Sequence, residues 1–179
     1  MAKIISLTGD VITDFDLMQQ RLARLAITLN SWPAPTGTRA HALLAQKSLN
    51  DTEKEELLAA VDHRYQELKR SKGYTARDLV VIHEDIPGLT DLLAKFEKIH
   101  YHTDDEVRYI LAGRGYFGFV EPSGDQFLLE VSAGDYINVP AHTEHWFEMK
   151  DSKRIKAARY FIDASGWTPV YTQRAMTFA

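Results

Sequence analysis

Apolar positions along this chain follow two different repeats. After a short strand-like piece, KIISL (3–7), Phe15, Met18, Leu22, Leu25 and Leu29 recur every three or four residues, the period of a helix with one buried face. Thr13 is the residue type that caps such a helix, and NSWPAPTG (30–37) stops it. A second stripe, Leu57, Leu58, Val61, Tyr65 and Leu68, predicts one long helix opened by the capping-box spacing of Thr52 and Glu55 and closed at Gly73. DLVVIHE (78–84) reads as a strand and PGLTDLLAKF (87–96) as a short helix.

Beyond residue 96 the repeat shortens. EVRYILA, YFGFVEP, QFLLEV, YINVP, HWFEM and IKAARYF are short runs rich in Val, Ile, Tyr and Phe, separated by the turn pieces GRG, SGD, SAGD and KDSKR. Strands at that spacing predict a β-sandwich or small barrel. The expected architecture is mainly β with an α-helical N-terminal part, a single domain over 1–179 with 1–96 packed on a barrel of 97–170.

Composition narrows the chemistry. With 45% apolar and 26% charged residues the chain is globular, and no apolar run reaches membrane-spanning length. The start, MAKIISLTGDVITDF, lacks a signal-peptide core, so a cytoplasmic location is expected. A net charge of −4 with dispersed basic residues gives no reason to expect a nucleic-acid partner. Nothing in the polar surface demands a dimer, so a monomer is expected. There is no cysteine, so any metal must rest on histidine and carboxylate.

HYHTDDEVRYILAGRG (100–115) holds those residue types. His100, His102, Glu106 and Arg108 share parity, so an extended chain presents them on one face, and the imidazoles of a His-x-His pair then stand about 7 Å apart. The intervening TDD weakens strict alternation. A further ligand must come from another strand, and GDYINVPAHTEHWFEM (134–149) offers His142 and His145. His41, His63 and His83 belong to no such pattern. Three imidazoles and one carboxylate leave an octahedron open at two positions, a set suited to Fe(II), Ni(II) or Mn(II). Ordinary imidazole titration would empty such a site below a pH of about 6.

The spacing H-x-H-x3-E-x6-G (His100, His102, Glu106, Gly113) followed by G-x5-P-x4-H (Gly134, Pro140, His145) resembles the paired motif of the cupin superfamily. The resemblance implies a cupin jelly-roll barrel, selects His145 as the fourth ligand, and leaves His142 as a turn residue near the mouth. HYHTDDEVRYILAGRGYFGF, GDYINVPAHTEHWFEM and YFIDASGW further resemble the acireductone dioxygenase family. That likeness implies a dioxygenase of methionine salvage with one Fe(2+) or Ni(2+) per chain. Its substrate is the enediol 1,2-dihydroxy-3-keto-5-methylthiopentene. Iron gives 4-methylthio-2-oxobutanoate and formate; nickel gives methylthiopropionate, formate and carbon monoxide.

The resemblance also assigns roles. Arg108, on the face of Glu106, is the candidate for holding the substrate dianion, a role that a planar guanidinium beside a metal suits. Phe147 points the same way as His145, and with Trp167 and Phe96 it matches the pocket that holds the methylthio tail. Asp105 matches a position that relays structural change around the metal. One residue departs from the family: an acid commonly precedes the first histidine, and here Ile99 stands there. Rival readings are a different cupin enzyme, an isomerase or another dioxygenase, or a non-catalytic ligand-binding cupin. A sugar-phosphate isomerase would want more cations facing the metal than the motif strands offer.

Overall fold

The computed structural model describes residues 1–162 and 167–178. The first strands, β1 (Lys3–Ser6) and β2 (Val11–Ile12), form a hairpin, and Asp14 caps helix α1 (Phe15–Ala23) by accepting from Leu17 N at 3.0 Å. The cap is thus one residue later than Thr13. Nor does the helix run on to Leu29. Ala26 adopts a left-handed φ of 54°, the Ile27 N–H turns back to Leu22 O, and Thr28–Ser31 is strand β3. Leu29 is buried as expected, but from a strand; a buried residue at helical spacing does not fix the conformation between.

Helix α2 (Thr38–Ala45), with no capping side chain and only Ala40 and Leu43 buried, gave no clear signal in the sequence. The expected long helix is two, α3 (Asp51–Ala60) and α4 (Asp62–Lys72), meeting at the non-helical Val61. Asn50 and Glu53 make the capping box in place of Thr52 and Glu55, while Gly73 closes α4 in the left-handed conformation as anticipated. The stripe from Leu57 to Leu68 is buried all the same, because both helices turn their apolar sides to one sheet.

After β4 (Ala76–Ile82) and α5 (Leu89–Phe96) come β5 (His100–Tyr101), β6 (Glu106–Val120), β7 (Gln126–Ser132), β8 (Asp135–Val139), β9 (His145–Glu148), β10 (Ile155–Phe161) and β11 (Val170–Tyr171). One sheet runs β11-β5-β9-β6-β7-β1-β2 and the other β4-β10-β6-β8-β3, antiparallel at each described pairing. They share β6, and the whole is open rather than a closed barrel.

GRG does not turn the chain; β6 passes straight through it for 15 residues. Between the pairs Ala157↔Ile110 and Lys156↔Ala112 the register slips, so Leu111 is an extra residue, a β-bulge. A bulge inverts alternation. Glu106, Arg108 and Ile110 face the interior before it and Phe117 and Phe119 after it, whereas Val107, Tyr109 and Leu111 pack on the helices. Gly113 then lets β6 press against β10: a Cβ there would lie 2.0 Å from Arg154 O, at a φ of 81°. One strand therefore serves both sheets and lines the space between them.

Candidate metal centre

Register sets the site. β5 and β9 pair with His100 opposite His145, and His102 follows in the loop that leads to Glu106 at the head of β6. The chain is not extended across TDD. It loops, and His142 N donates to His102 O at 2.8 Å to hold that loop against the one before β9. The result draws the imidazoles closer than a straight strand would. Ligand atoms of His100, His102 and His145 lie within 4.8 Å of one another, and all three residues are buried. No other such group occurs among the described residues, so His41, His63 and His83 stand apart. His142, at a φ of 64°, is a turn residue whose ring faces Tyr101.

Two of the rings have their protons spoken for. His100 Nδ1 lies 2.6 Å from Lys98 O and His145 Nδ1 lies 2.7 Å from Thr143 O, so each Nδ1 carries the hydrogen and each Nε2 keeps a lone pair. Burial, with the neighbouring His145, pushes the His100 pKa down to about 4; burial also lowers that of His102. His100 and His102 thus resist protonation. Burial alone would raise the Glu106 carboxyl, but Arg108, followed by His145 and His102, outweighs it and holds the group well below the usual carboxylate range.

A consequence follows for Glu106 and His145. Glu106 Oε2 is 2.7 Å from His145 Nε2, and neither atom has a hydrogen-bond partner. Two buried acceptors facing one another unpaired would cost several kcal/mol, in the range of about 1–3 kcal/mol or more for each. A cation between them removes that cost. With His145 Nδ1 turned to the Thr143 carbonyl, its Nε2 lone pair points at Glu106 Oε2, and His100 and His102 offer further ligand atoms within 4.8 Å, a convergence of donors that fits a divalent metal. The donors fit it too: imidazole and carboxylate without thiolate suit Fe(II), Ni(II) or Mn(II).

Arg108 anchors the other oxygen, with Nη2 2.5 Å from Glu106 Oε1 and Nη1 donating to Val107 O at 3.1 Å. Its side chain borders a cavity of about 140 Å³ that runs from His102 and Glu106 to Phe96, Phe147 and Trp167, so the structure brings together every pocket residue expected from the sequence. Phe147 is held edge-on to Phe117 at 5.1 Å. Trp167 lies against both Arg108 and Arg159, at 4.3 and 4.9 Å, and its Nε1–H has no partner among the described residues.

Sequence reasoning missed Arg159. It pairs across the sheet with Arg108 and lines the same cavity, while its Nε donates to Asp78 Oδ1 at 2.6 Å. The signal was available, since Arg159 shares parity in IKAARYF with the interior residues Ile155 and Ala157. A second cation thus faces the cavity, although an acid already neutralises it.

Asp105 faces away from this cavity. Its carboxylate accepts from Ala141 N at 3.1 Å and from Asn138 Nδ2 at 3.2 Å, and Asn138 also donates to Tyr74 Oη. It is a brace between loops and does not reach the cavity. Ile99 is buried with Val120, Leu128 and Trp146, so an acid at that position would enter an apolar cluster.

Comparison with known proteins agrees with this geometry. The model of the ARD/ARD' family matches residues 30–169. A protein of Microcystis aeruginosa named acireductone dioxygenase is 49% identical over 170 residues, 95% of this chain and 92% of its own. Another, from Leptospira biflexa serovar Patoc, is 46% identical over 98% of this chain and 97% of its own. Among solved structures, acireductone dioxygenase from Bacillus anthracis with cadmium ion in its active center matches with a TM-score of 0.86 at 31% identity, covering 96% of this chain and 98% of that one.

Proposed function

The chain belongs to the ARD/ARD' family and is a metal-dependent dioxygenase, and from that premise we propose that it cleaves an acireductone with O2. The substrate we assign is 1,2-dihydroxy-3-keto-5-methylthiopentene, in methionine salvage. The observation that carries the reading is the buried meeting of Glu106 and His145 beside His100 and His102, next to a cavity walled by the guanidiniums of Arg108 and Arg159 and by the rings of Phe96, Phe117, Phe147 and Trp167.

His100, His102, Glu106 and His145 would hold one Fe(2+) or Ni(2+). When bound, the ion supplies Lewis acidity and an anchoring point for the oxygens of the enediol. Iron would direct cleavage to 4-methylthio-2-oxobutanoate and formate, and nickel to methylthiopropionate, formate and carbon monoxide.

The chain's own groups do the rest. Arg108 stays protonated at neutral pH, since burial brings its pKa down only to about 10. It favours the deprotonated enediol and holds its negative oxygen, an effect worth roughly 10²–10³ in rate where such a donor is preorganised. Its contact with Glu106 fixes the guanidinium before substrate arrives. Phe96, Phe147 and Trp167 exclude water and pack on the methylthio tail, where sulfur–ring contacts contribute about 0.3–1.5 kcal/mol each. The unpartnered Trp167 Nε1–H offers a donor to a substrate oxygen. Asp105 positions the loops that carry His102 and His145. No helix among the described residues is long and apolar enough to cross a membrane, and we place the enzyme in the cytoplasm as a monomer without a nucleic-acid partner.

The test is oxygen uptake by the iron-loaded and nickel-loaded protein given the acireductone. Stoichiometric O2 consumption, with carbon monoxide from the nickel form only, supports the reading. Binding without product would favour a non-catalytic cupin instead.

A further inference from the structure

A second and larger cavity, about 320 Å³, lies behind the first. Ile82 and Ile155, cross-strand partners on β4 and β10, line both and so form the wall between them. The chemistry on the far side differs. Lys47, Arg114, Arg154 and Lys156 border it, and no described carboxylate does.

Three of these cations sit toward solvent and pair with acids that lie outside the cavity lining. Lys47 pairs with Asp85 and Glu84, Arg154 donates to Glu84 at 2.8 Å, and Arg114 stands 3.9 Å from Glu130. Lys156 is different. It is only 7% exposed, and among the described residues no acid pairs with it. Its Nζ donates to Leu44 O at 2.9 Å and Gln46 O at 2.5 Å, the carbonyls that end α2. An ammonium has three hydrogens, and these bonds use two. Burial and the neighbouring Arg154 both disfavour its charge. The carbonyls at a helix C-terminus offset part of that charge. Capping α2 explains one lysine; it does not explain why that lysine opens onto an acid-free cavity with three more cations around it.

We propose that this cavity binds a small organic anion, with its acid group on Lys156 and Arg154 and its apolar part against Leu44, Ile82 and Ile155. The volume favours an organic ligand, because ligand pockets begin near about 300 Å³ and a bare oxyanion would fill only a fraction of that. The inference is independent of the substrate assigned above, since it concerns residues on the other side of the isoleucine wall.

Isothermal titration of the metal-loaded protein tests it, with hexanoate as an organic carboxylate that is neither substrate nor product of the assigned reaction and inorganic phosphate as the bare anion. Expected is saturable binding of the carboxylate, weakened at least tenfold in Lys156→Met and unchanged in Arg108→Ala, with phosphate binding more weakly. Should Lys156→Met fail to fold, Arg154→Gln, at the rim, is expected to weaken binding several-fold. Equal affinity in the wild type and these cavity variants overturns the site, as does loss of binding in Arg108→Ala alone, which would place the anion at the metal. Phosphate binding as tightly as the carboxylate overturns the organic ligand, and no saturable binding of either anion overturns the proposal entirely.

Discussion

The Asp105 carboxylate accepts from the Ala141 N–H at 3.1 Å, and this bond ties the start of β6 to the loop that delivers His145. Its second oxygen reaches Asn138, which bonds Tyr74 ahead of β4. The loop that carries His102 and the loop that leads to His145 are therefore held by one acid that never faces the cavity. Asp105→Ala should lower metal affinity about 10–100-fold, as losing an outer hydrogen-bonding partner of a metal site does. Competition with a chromophoric chelator measures this. Asp105→Asn, which keeps one acceptor for Ala141, should lose less. If Asp105→Ala binds metal as tightly as the wild type, the bracing role is wrong.

Arg108 and Glu106 are joined at 2.5 Å, so removing the guanidinium acts twice. Arg108→Ala should cut turnover about 10²–10³-fold with metal still bound. It should also destabilise the metal-free protein by about 3–5 kcal/mol, because it leaves a buried carboxylate without its cation. Bound metal compensates that carboxylate, so thermal unfolding should show a smaller loss in the loaded protein. Equal losses in both forms would contradict the arrangement.

Acid should act on the metal-free protein first. The His100 pKa is lowered to about 4 in the fold, against an ordinary value near 6.5. Between these values the unfolded chain binds more protons than the folded one, so stability falls as pH drops from about 6.5 toward about 4. The same burial keeps the ring free for metal below the pH of about 6 that ordinary titration would suggest. Unfolding of chelator-treated protein across pH 4–7 reads the first effect, and elemental analysis after dialysis at pH 5 reads the second. A flat stability profile, or metal lost already at pH 6, would show that burial does not protect His100.

Two glycines of β6 make separable predictions. A Cβ at Gly113 meets backbone, Arg154 O, so Gly113→Ala should cost about 1–3 kcal/mol or more of stability. A Cβ at Gly115 meets the Phe147 ring at 2.3 Å, a side chain that can move into the cavity. Gly115→Ala should therefore raise KM for the methylthio substrate more than it lowers Tm. Urea denaturation and steady-state kinetics on the pair distinguish the two, and the reverse pattern would refute the packing described for β6.

The candidate ligands were legible in the sequence because the spacing of His100, His102, Glu106 and His145 relative to Gly113, Gly134 and Pro140 resembles the paired cupin motif, and the fold brings these four side chains together. Parity along β6 also placed Arg108 beside Glu106 correctly. What stayed hidden depends on contacts distant in sequence. The Leu111 bulge exists only in the register of β6 with β10, so GRG reads locally as a turn. Leu29 gives the same periodic signal from a helix or from β3, and pairing with β8 decides for the strand. The break at Val61 leaves the apolar stripe unchanged, which is why one helix was expected. Tyr74 belongs to no local motif, and parity alone could place Arg159 on the interior face but not beside Arg108; the pairing of β10 with β6 does that.

X-ray absorption on the nickel-loaded protein and on His145→Ala tests the central claim most directly. The account predicts one metal per chain bound by three imidazole nitrogens and a carboxylate oxygen, with one imidazole fewer and acireductone-dependent oxygen uptake abolished in the variant. A coordination sphere unchanged by the loss of His145, or full oxygen uptake after the metal has been stripped, would contradict it.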